Sequence, residues 1–373
     1  MEQSSISPEK KQRNANFELL RILAMLQVVT IHSTIGSGIL NTTNRSTINY
    51  FFTVFLLNTS FVSVNCYILL TGYFLCRSYI RSEKIFTLYL QVLFHTMLLF
   101  VANLFFPLTR DYSPGVLFLY SLFPETMYWF FLSYLMLLVV SPFLNMLINA
   151  MNRKQFLLLL GIMIFTANIM PSFGFDLFGF NKKPCLMLFI HLYFTGAFCR
   201  NYITITPEKT KHYLFLFILF DLCLFFFLFI NLFAKKYYGV RPFHGEDFYF
   251  ITNYCSSIAL FLFFGCIQIN SQRLKQVILF LSPLTFGVYL FHENIYLKGF
   301  LWNRLIHLQR YYTSFWFPMI IIGIIVGIYV VGSFVDFFRY KLFQMLSIKD
   351  RLGNTHLCKT INSLWEKRSQ QEH

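Results

Sequence analysis

Apolar stretches close to twenty residues long recur from one end of this 373-residue chain to the other, with short polar segments between them. Wound as a helix rising about 1.5 Å per residue, such a stretch crosses the ~30 Å hydrocarbon of a bilayer. The pattern predicts an all-α integral membrane protein with about ten transmembrane helices. They fall at roughly 17–37, 51–75, 85–106, 128–148, 156–172, 185–200, 213–234, 248–268, 278–298 and 315–338. The fifth and sixth are short, and Pro171, Gly174 and Pro184 lie between them, so a re-entrant hairpin is an alternative there. Residues 1–15 are polar and read as a disordered cytoplasmic N-terminus. The transmembrane domain then covers 16–340, and 341–373 form a polar cytoplasmic tail with Trp365 as an interface anchor. Residues 10–36 share a basic start and an apolar run with signal peptides. The run is too long, carries Arg21 and has no small-residue cleavage pattern behind it, so it is read as a retained first span.

Charge orients the spans. With a cytoplasmic N-terminus, the inner segments hold Lys10, Lys11, Arg13, Arg77, Arg81, Lys84, Arg153, Lys154, Arg200, Lys209, Lys211, Arg273, Lys275 and the tail. The outer segments hold Arg45, Arg110, Lys182, Lys183, Lys235, Lys236, Arg241, Lys298, Arg304 and Arg310. The inner set is about twice the outer, which places both termini inside by the positive-inside rule. The basic 235–247 segment runs against it.

Composition narrows the class. The chain is 56% hydrophobic and 13% charged, which leaves no room for a separate soluble domain of ordinary size. The net charge of +15 sits in loop clusters, so no nucleic-acid partner is expected. Eight Cys are scattered without a Cys-x-x-Cys or a zinc-like Cys/His spacing, so no metal is expected and most are packing residues. Cys76 and Cys199, near helix ends, are candidates for lipidation. The 49 Phe read as lipid-facing bulk.

Ionisable groups inside apolar runs carry the chemistry, since burial in a bilayer is costly without a use or a partner. Arg21 and His32 are eleven positions apart in the first span, three turns plus about 20°, and so share one face about 16 Å apart along the axis. Arg21 can snorkel to the interface or pair with Glu18; alternatively its guanidinium binds an anionic ligand entering from the cytoplasm. His32, beyond the midplane and flanked by Thr30, Ser33 and Thr34, is either a packed histidine or a solvated group suited to proton transfer near neutral pH. His292 lies about as deep in the ninth span, with Glu293 beside it. The pair either joins His32 in one cavity or is the frayed polar end of a helix. At the cytoplasmic end of the second span, Gly72 permits close backbone approach, and Arg77 and Arg81 lie on the side of Arg21. These basic residues form a phosphate-binding rim or ordinary positive-inside charge. Asn58 and Asn65, seven apart on one face of the second span, are read as helix-to-helix hydrogen-bonding residues, and His95, His191 and Asp221 as structural first and cavity-lining second. Tyr128, Trp129 and Phe130 fit an outer aromatic belt.

Four segments in order resemble the membrane-bound acyltransferase 3 family. They are Asn16-Phe17-Glu18-Leu19-Leu20-Arg21-Ile22-Leu23-Ala24 with His32 following, Thr71-Gly72-Tyr73-Phe74, Tyr128-Trp129-Phe130 through Ser141-Pro142-Phe143-Leu144-Asn145, and Phe286-Gly287-Val288-Tyr289-Leu290-Phe291-His292. The family usually has Ser where Thr71 stands. The resemblance covers about residues 14–340 and implies a membrane O-acyltransferase that moves an acyl group, often acetyl from acetyl-CoA, onto a hydroxyl of a cell-surface polysaccharide or lipid-linked sugar. It implies acyl-CoA as donor and a carbohydrate or lipid-linked glycan as acceptor. The setting is the bacterial cytoplasmic membrane, and a homodimer is allowed. Some members carry an added extracytoplasmic hydrolase-like domain, which this chain is not expected to hold.

Combined with the residue reading, Arg21, Gly72, Tyr73 and Arg77 are the candidates for holding acetyl-CoA. His32, His292 and Glu293 are the candidates for catalysis, with His32 as general base or acyl-accepting nucleophile. A polytopic transporter of a sugar or small anion is the rival reading, for which internal repeats and paired broken helices are the expected signs.

Overall fold

The computed structural model describes residues 13–42, 47–109, 112–123, 127–179, 185–239 and 248–369. The expectations for residues 1–12, Arg45, Arg110, Lys182, Lys183, Pro184 and Arg241 lie outside the described residues. Among those described, every regular element is a helix. Eight helices are long and apolar enough to cross a bilayer. They are α1 (Ala15–Gly36), α2 (Ile48–Leu75), α3 (Ser82–Phe105), α4 (Trp129–Ala150), α5 (Arg153–Ser172), α7 (Thr210–Tyr238), α9 (Gln272–His292) and α10 (Phe317–Met345). Two of the ten expected spans are shorter, α6 (Leu186–Tyr202) and α8 (Ile251–Cys266). Both carry buried polar residues, among them His191 and Thr195 on α6 and Asn253, Ser256 and Ser257 on α8. Protein packs around most of their faces, so neither needs the length or uniform apolarity of a lipid-facing span. The tail adds α11 (Ile348–Gly353) and α12 (His356–Ser369), and α10 continues past residue 340 to Met345.

The first helix is the centre of the bundle. It packs against α2, α8, α9 and α10. Phe17, Leu20, Ala24 and Ile31 enter one hydrophobic cluster with α2, α6 and α8, while Met25, Val28 and Val29 enter a second with α9 and α10. A helix with apolar neighbours on two sides has room for ionisable groups only along the seam between them. The sixth helix lies antiparallel to α5, with Phe156 near Phe198 and Tyr202 at one end and Asn168 bonded to His191 at the other. The two helices thus run side by side along their lengths.

The described ends of the chain lie on one face. Asn16 at the start of α1 donates to the Ile267 carbonyl after α8. The tail folds beneath α3, where Asn362 accepts from the Ser82 amide and donates to Glu83. Trp365 stacks on Tyr79, 5.8 Å between centroids, and meets Phe143 edge-on. It is packed on protein.

Phe has two uses. On α7, Phe215, Phe226, Phe229 and Phe233 are exposed, as lipid-facing bulk requires, whereas Phe131, Phe156, Phe189 and Phe261 are fully buried in the core. Cys76 and Cys199 are also buried, which corrects the lipidation reading, since neither thiol is accessible.

Gly72 on α2 and Gly196 on α6 explain how closely these helices cross. A Cβ on Gly72 would overlap the Tyr193 carbonyl, and one on Gly196 would overlap the Leu69 carbonyl. Gly72→Val is therefore expected to lower stability by about 3 kcal/mol, a large overpacking cost. Gly323→Ala, where a Cβ meets open space, serves as the control. The thermal unfolding midpoint in detergent reads both, and equal midpoints for the two variants would refute the crossing argument.

Candidate active site

The site starts at the N-terminus of α1. Asn14 caps the helix through its side chain, which accepts from the Asn16 amide. Glu18 follows in the first turn, where the helix dipole favours a carboxylate. It lies 3.0 Å from the Arg21 guanidinium one turn on and 3.1 Å from that of Arg13. One buried carboxylate thus holds two guanidinium groups at one level, leaving the trio a net positive charge. The expected Glu18–Arg21 pairing is present, and the same Arg21 side chain lines a cavity of about 320 Å³.

That cavity extends between helices from Arg13, Arg21 and Ser282 past Tyr67, Thr71 and Gln91 to Tyr289 and His32. Its wall includes Trp129, Phe130 and Phe248. Trp129 and Phe130 line the cavity and the preceding Tyr128 is fully buried, which corrects the aromatic-belt reading. Tyr128 donates to the Leu290 carbonyl and accepts from Asn294. A polar groove of about 510 Å³ shares Arg13 with the cavity mouth and adds Asn16, Gln268 and Lys275.

At the far end, His32 and His292 meet, 2.8 Å between Nδ1 of the first and Nε2 of the second. Their equal depth on α1 and α9 is realised as direct contact. His292 and Asn294 are fully buried, so the end of α9 is packed, not frayed. Ser33 and Thr34 are buried too and bond back to the Thr30 carbonyl, so they do not solvate His32. The hydrogen bonds fix the tautomers. His292 Nδ1 lies 2.6 Å from the Val288 carbonyl, which can only accept, so Nδ1 carries the proton. Neutral His292 then offers Nε2 as an acceptor, and His32 donates to it from Nδ1. In the neutral form of His32 this makes Nε2 the acceptor nitrogen, on a ring that lines the cavity. Glu293 Oε1 stands 3.5 Å from His32 Nδ1, placed to balance an imidazolium.

His32, His292 and Glu293 present three ligand atoms within 4.8 Å of one another. Two imidazole nitrogens on one tetrahedral zinc stand about 3.3 Å apart. The observed 2.8 Å is a hydrogen-bond length, so the spacing suits proton transfer better than ligation.

On the other side of α1's last turns is a second cavity of about 260 Å³, lined by Thr34, Asn41, Tyr50, Asn58, Asn231 and Lys235 among others. Phe61 lines this cavity and Phe248 lines the first, with ring centroids 5.6 Å apart and nearly perpendicular.

Other expected residues lie elsewhere. Gly72 sits at the α2–α6 crossing. Tyr73 is buried against Phe17 and Phe261 and accepts from Arg200, while exposed Arg77 donates to Asn201. None of these three lines the cavity. His191 bonds Asn168 and stacks on Tyr254, Asp221 accepts from Ser256, and His95 faces Asp336; all three are packed away from the cavity. Asn65 donates to the Phe248 carbonyl and to Ser257, whereas Asn58 bonds within its own helix. Arg13, Gln91, Tyr67 and Tyr289 join the site without having been singled out as site residues. Gln91, one of few polar residues in its apolar run, is the one the sequence could have flagged.

A family model described as an acyltransferase domain matches residues 14–335. No curated protein and no solved structure matches the chain.

Proposed function

The chain belongs to the acyltransferase 3 family and is a multi-pass membrane acyltransferase; on that premise we propose that it moves acetyl from acetyl-CoA to a hydroxyl of a cell-surface polysaccharide or lipid-linked sugar in the bacterial cytoplasmic membrane. The observation that carries this reading is one cavity with paired guanidinium groups at its mouth and a tautomer-fixed histidine at its end.

The nucleotide end of the donor lies in the polar groove, with its phosphates on Arg13 and Arg21 and near Lys275. The pantetheine arm fills the cavity and brings the thioester to His32. The acceptor comes from the opposite side, through the cavity lined by Asn41 and Asn58. His32 Nε2 takes the proton from the acceptor hydroxyl as its oxygen attacks the thioester carbonyl. The tetrahedral intermediate collapses by breaking the C–S bond, and the thiolate leaves with the proton from His32, so CoA-SH and an O-acetyl ester are the products. His292 and Glu293 hold the intermediate imidazolium.

The test is CoA-thiol release by the detergent-purified protein, given acetyl-CoA and a pool of native glycans, with radiolabelled acetyl followed into the glycan. Both signals are expected from the wild type. Arg21→Ala is expected to raise the KM for acetyl-CoA roughly tenfold, the loss of one charge-assisted hydrogen bond, with kcat nearly kept. Thiol release without label in glycan would exclude this acceptor class. An unchanged KM would remove the phosphate role from Arg21.

A further inference from the structure

Beneath the cavity wall lies a buried ionic group. Asp336 on α10 is fully buried, with Arg339 one turn on bonded to it through both oxygens, 2.9 Å from Nε to Oδ1 and 2.6 Å from Nη2 to Oδ2. Gly287 on α9 lets the two helices close here, since a Cβ on it would overlap the Asp336 side chain. Gln91 on α3 donates from Nε2 to Asp336 Oδ1 at 3.0 Å.

An ionised carboxylate held by a guanidinium only accepts, so the amide nitrogen of Gln91 must face Asp336 and its carbonyl oxygen must face away. Gln91 is itself buried and lines the cavity. The oxygen accepts no hydrogen bond from the described residues, nor is it a fully enclosed atom. A fixed acceptor therefore points into the cavity.

Its depth is specific. Both α1 and α3 begin on the same face of the bundle. Gln91 is nine residues from the start of α3, about 14 Å in; Arg21 and His32 lie about 9 Å and 26 Å in along α1. The acceptor thus stands between the proposed phosphate contacts and the reacting histidine. We propose that Gln91 Oε1 accepts an amide N–H of the pantetheine arm of the acyl donor, with Asp336 and Arg339 as the positioning residues that fix its orientation. This rests on the donor reading above.

The experiment compares two ligands on the full-length purified protein by calorimetry. One is CoA; the other is 3′-phospho-ADP, which keeps the phosphates and lacks the arm. In Gln91→Leu, CoA affinity is expected to fall about tenfold, the cost of one unmade buried hydrogen bond, with 3′-phospho-ADP affinity unchanged. Equal losses for both ligands, or no loss for CoA, would overturn the proposal while leaving the donor reading intact. A wild type that binds neither ligand would overturn the donor reading and this proposal with it. Should Gln91→Leu not fold, the wild type decides through a CoA analogue with N-methylated arm amides. A tenfold weaker fit than CoA supports the bond, and equal affinity removes it.

Discussion

His32→Ala is expected to lower the acetyl-transfer rate by at least ~10³-fold while leaving acetyl-CoA affinity near the wild-type value. The two parts of this result come from different ends of one cavity. The proposed phosphate contacts are at Arg13 and Arg21, about three helical turns from His32, so deletion of the imidazole removes the proton acceptor without touching them. His292→Ala is expected to act in the same direction and less strongly, because it removes the acceptor that fixes the His32 tautomer without removing His32 itself. Rates from thiol release and affinities from calorimetry give the split. A His32→Ala enzyme as fast as the wild type would eliminate the proton-transfer role. Acetyl trapped on His32 of the wild type, after mixing with acetyl-CoA alone, would replace the base with a nucleophile.

The second large effect concerns stability. Arg339→Met should destabilise the protein by about 3–5 kcal/mol, because it leaves the Asp336 carboxylate buried without its cation. Gln91 still donates one hydrogen bond, and His95 Nε2 stands 3.4 Å away, but neither supplies the bidentate charge pairing of a guanidinium. The double variant Asp336→Asn/Arg339→Met should regain much of the loss, since it removes the uncompensated charge. Unfolding midpoints in detergent of the two singles and the double form the cycle. A double variant no better than Arg339→Met alone would show that the loss comes from packing of the arginine stem.

The all-helical fold and the His32–His292 contact were legible because an apolar run makes an ionisable residue conspicuous. Arg21, His32 and His292 stand out against their neighbours, and equal depth in two spans is a one-dimensional quantity that sequence position supplies. The Gly72 and Tyr73 segment was legible as a motif but not as packing, since only the crossing with α6 shows what the missing Cβ makes possible. Arg13 lay hidden because it precedes the first span, where basic residues are commonplace. Gln91 and Asp336 depend on which face of α3 meets which face of α10, and no periodicity in either run encodes that. The same holds for Trp129 and Phe130, whose position at a helix end fits a lipid interface as well as a cavity wall.

The central place of α1 has a consequence for biosynthesis. It leaves the ribosome before the other described spans, yet His32 finds its partner 260 residues later on α9. Until then α1 has α2 and α8 as partners but lacks the α9 side of its seam, while Glu18 already neutralises one of the guanidinium groups at its end. Nascent chains that have not yet inserted α9 hold Arg13 and Arg21 but no completed histidine pair. With the histidine pair in its proposed role, activity would switch on only when nearly the whole bundle has assembled.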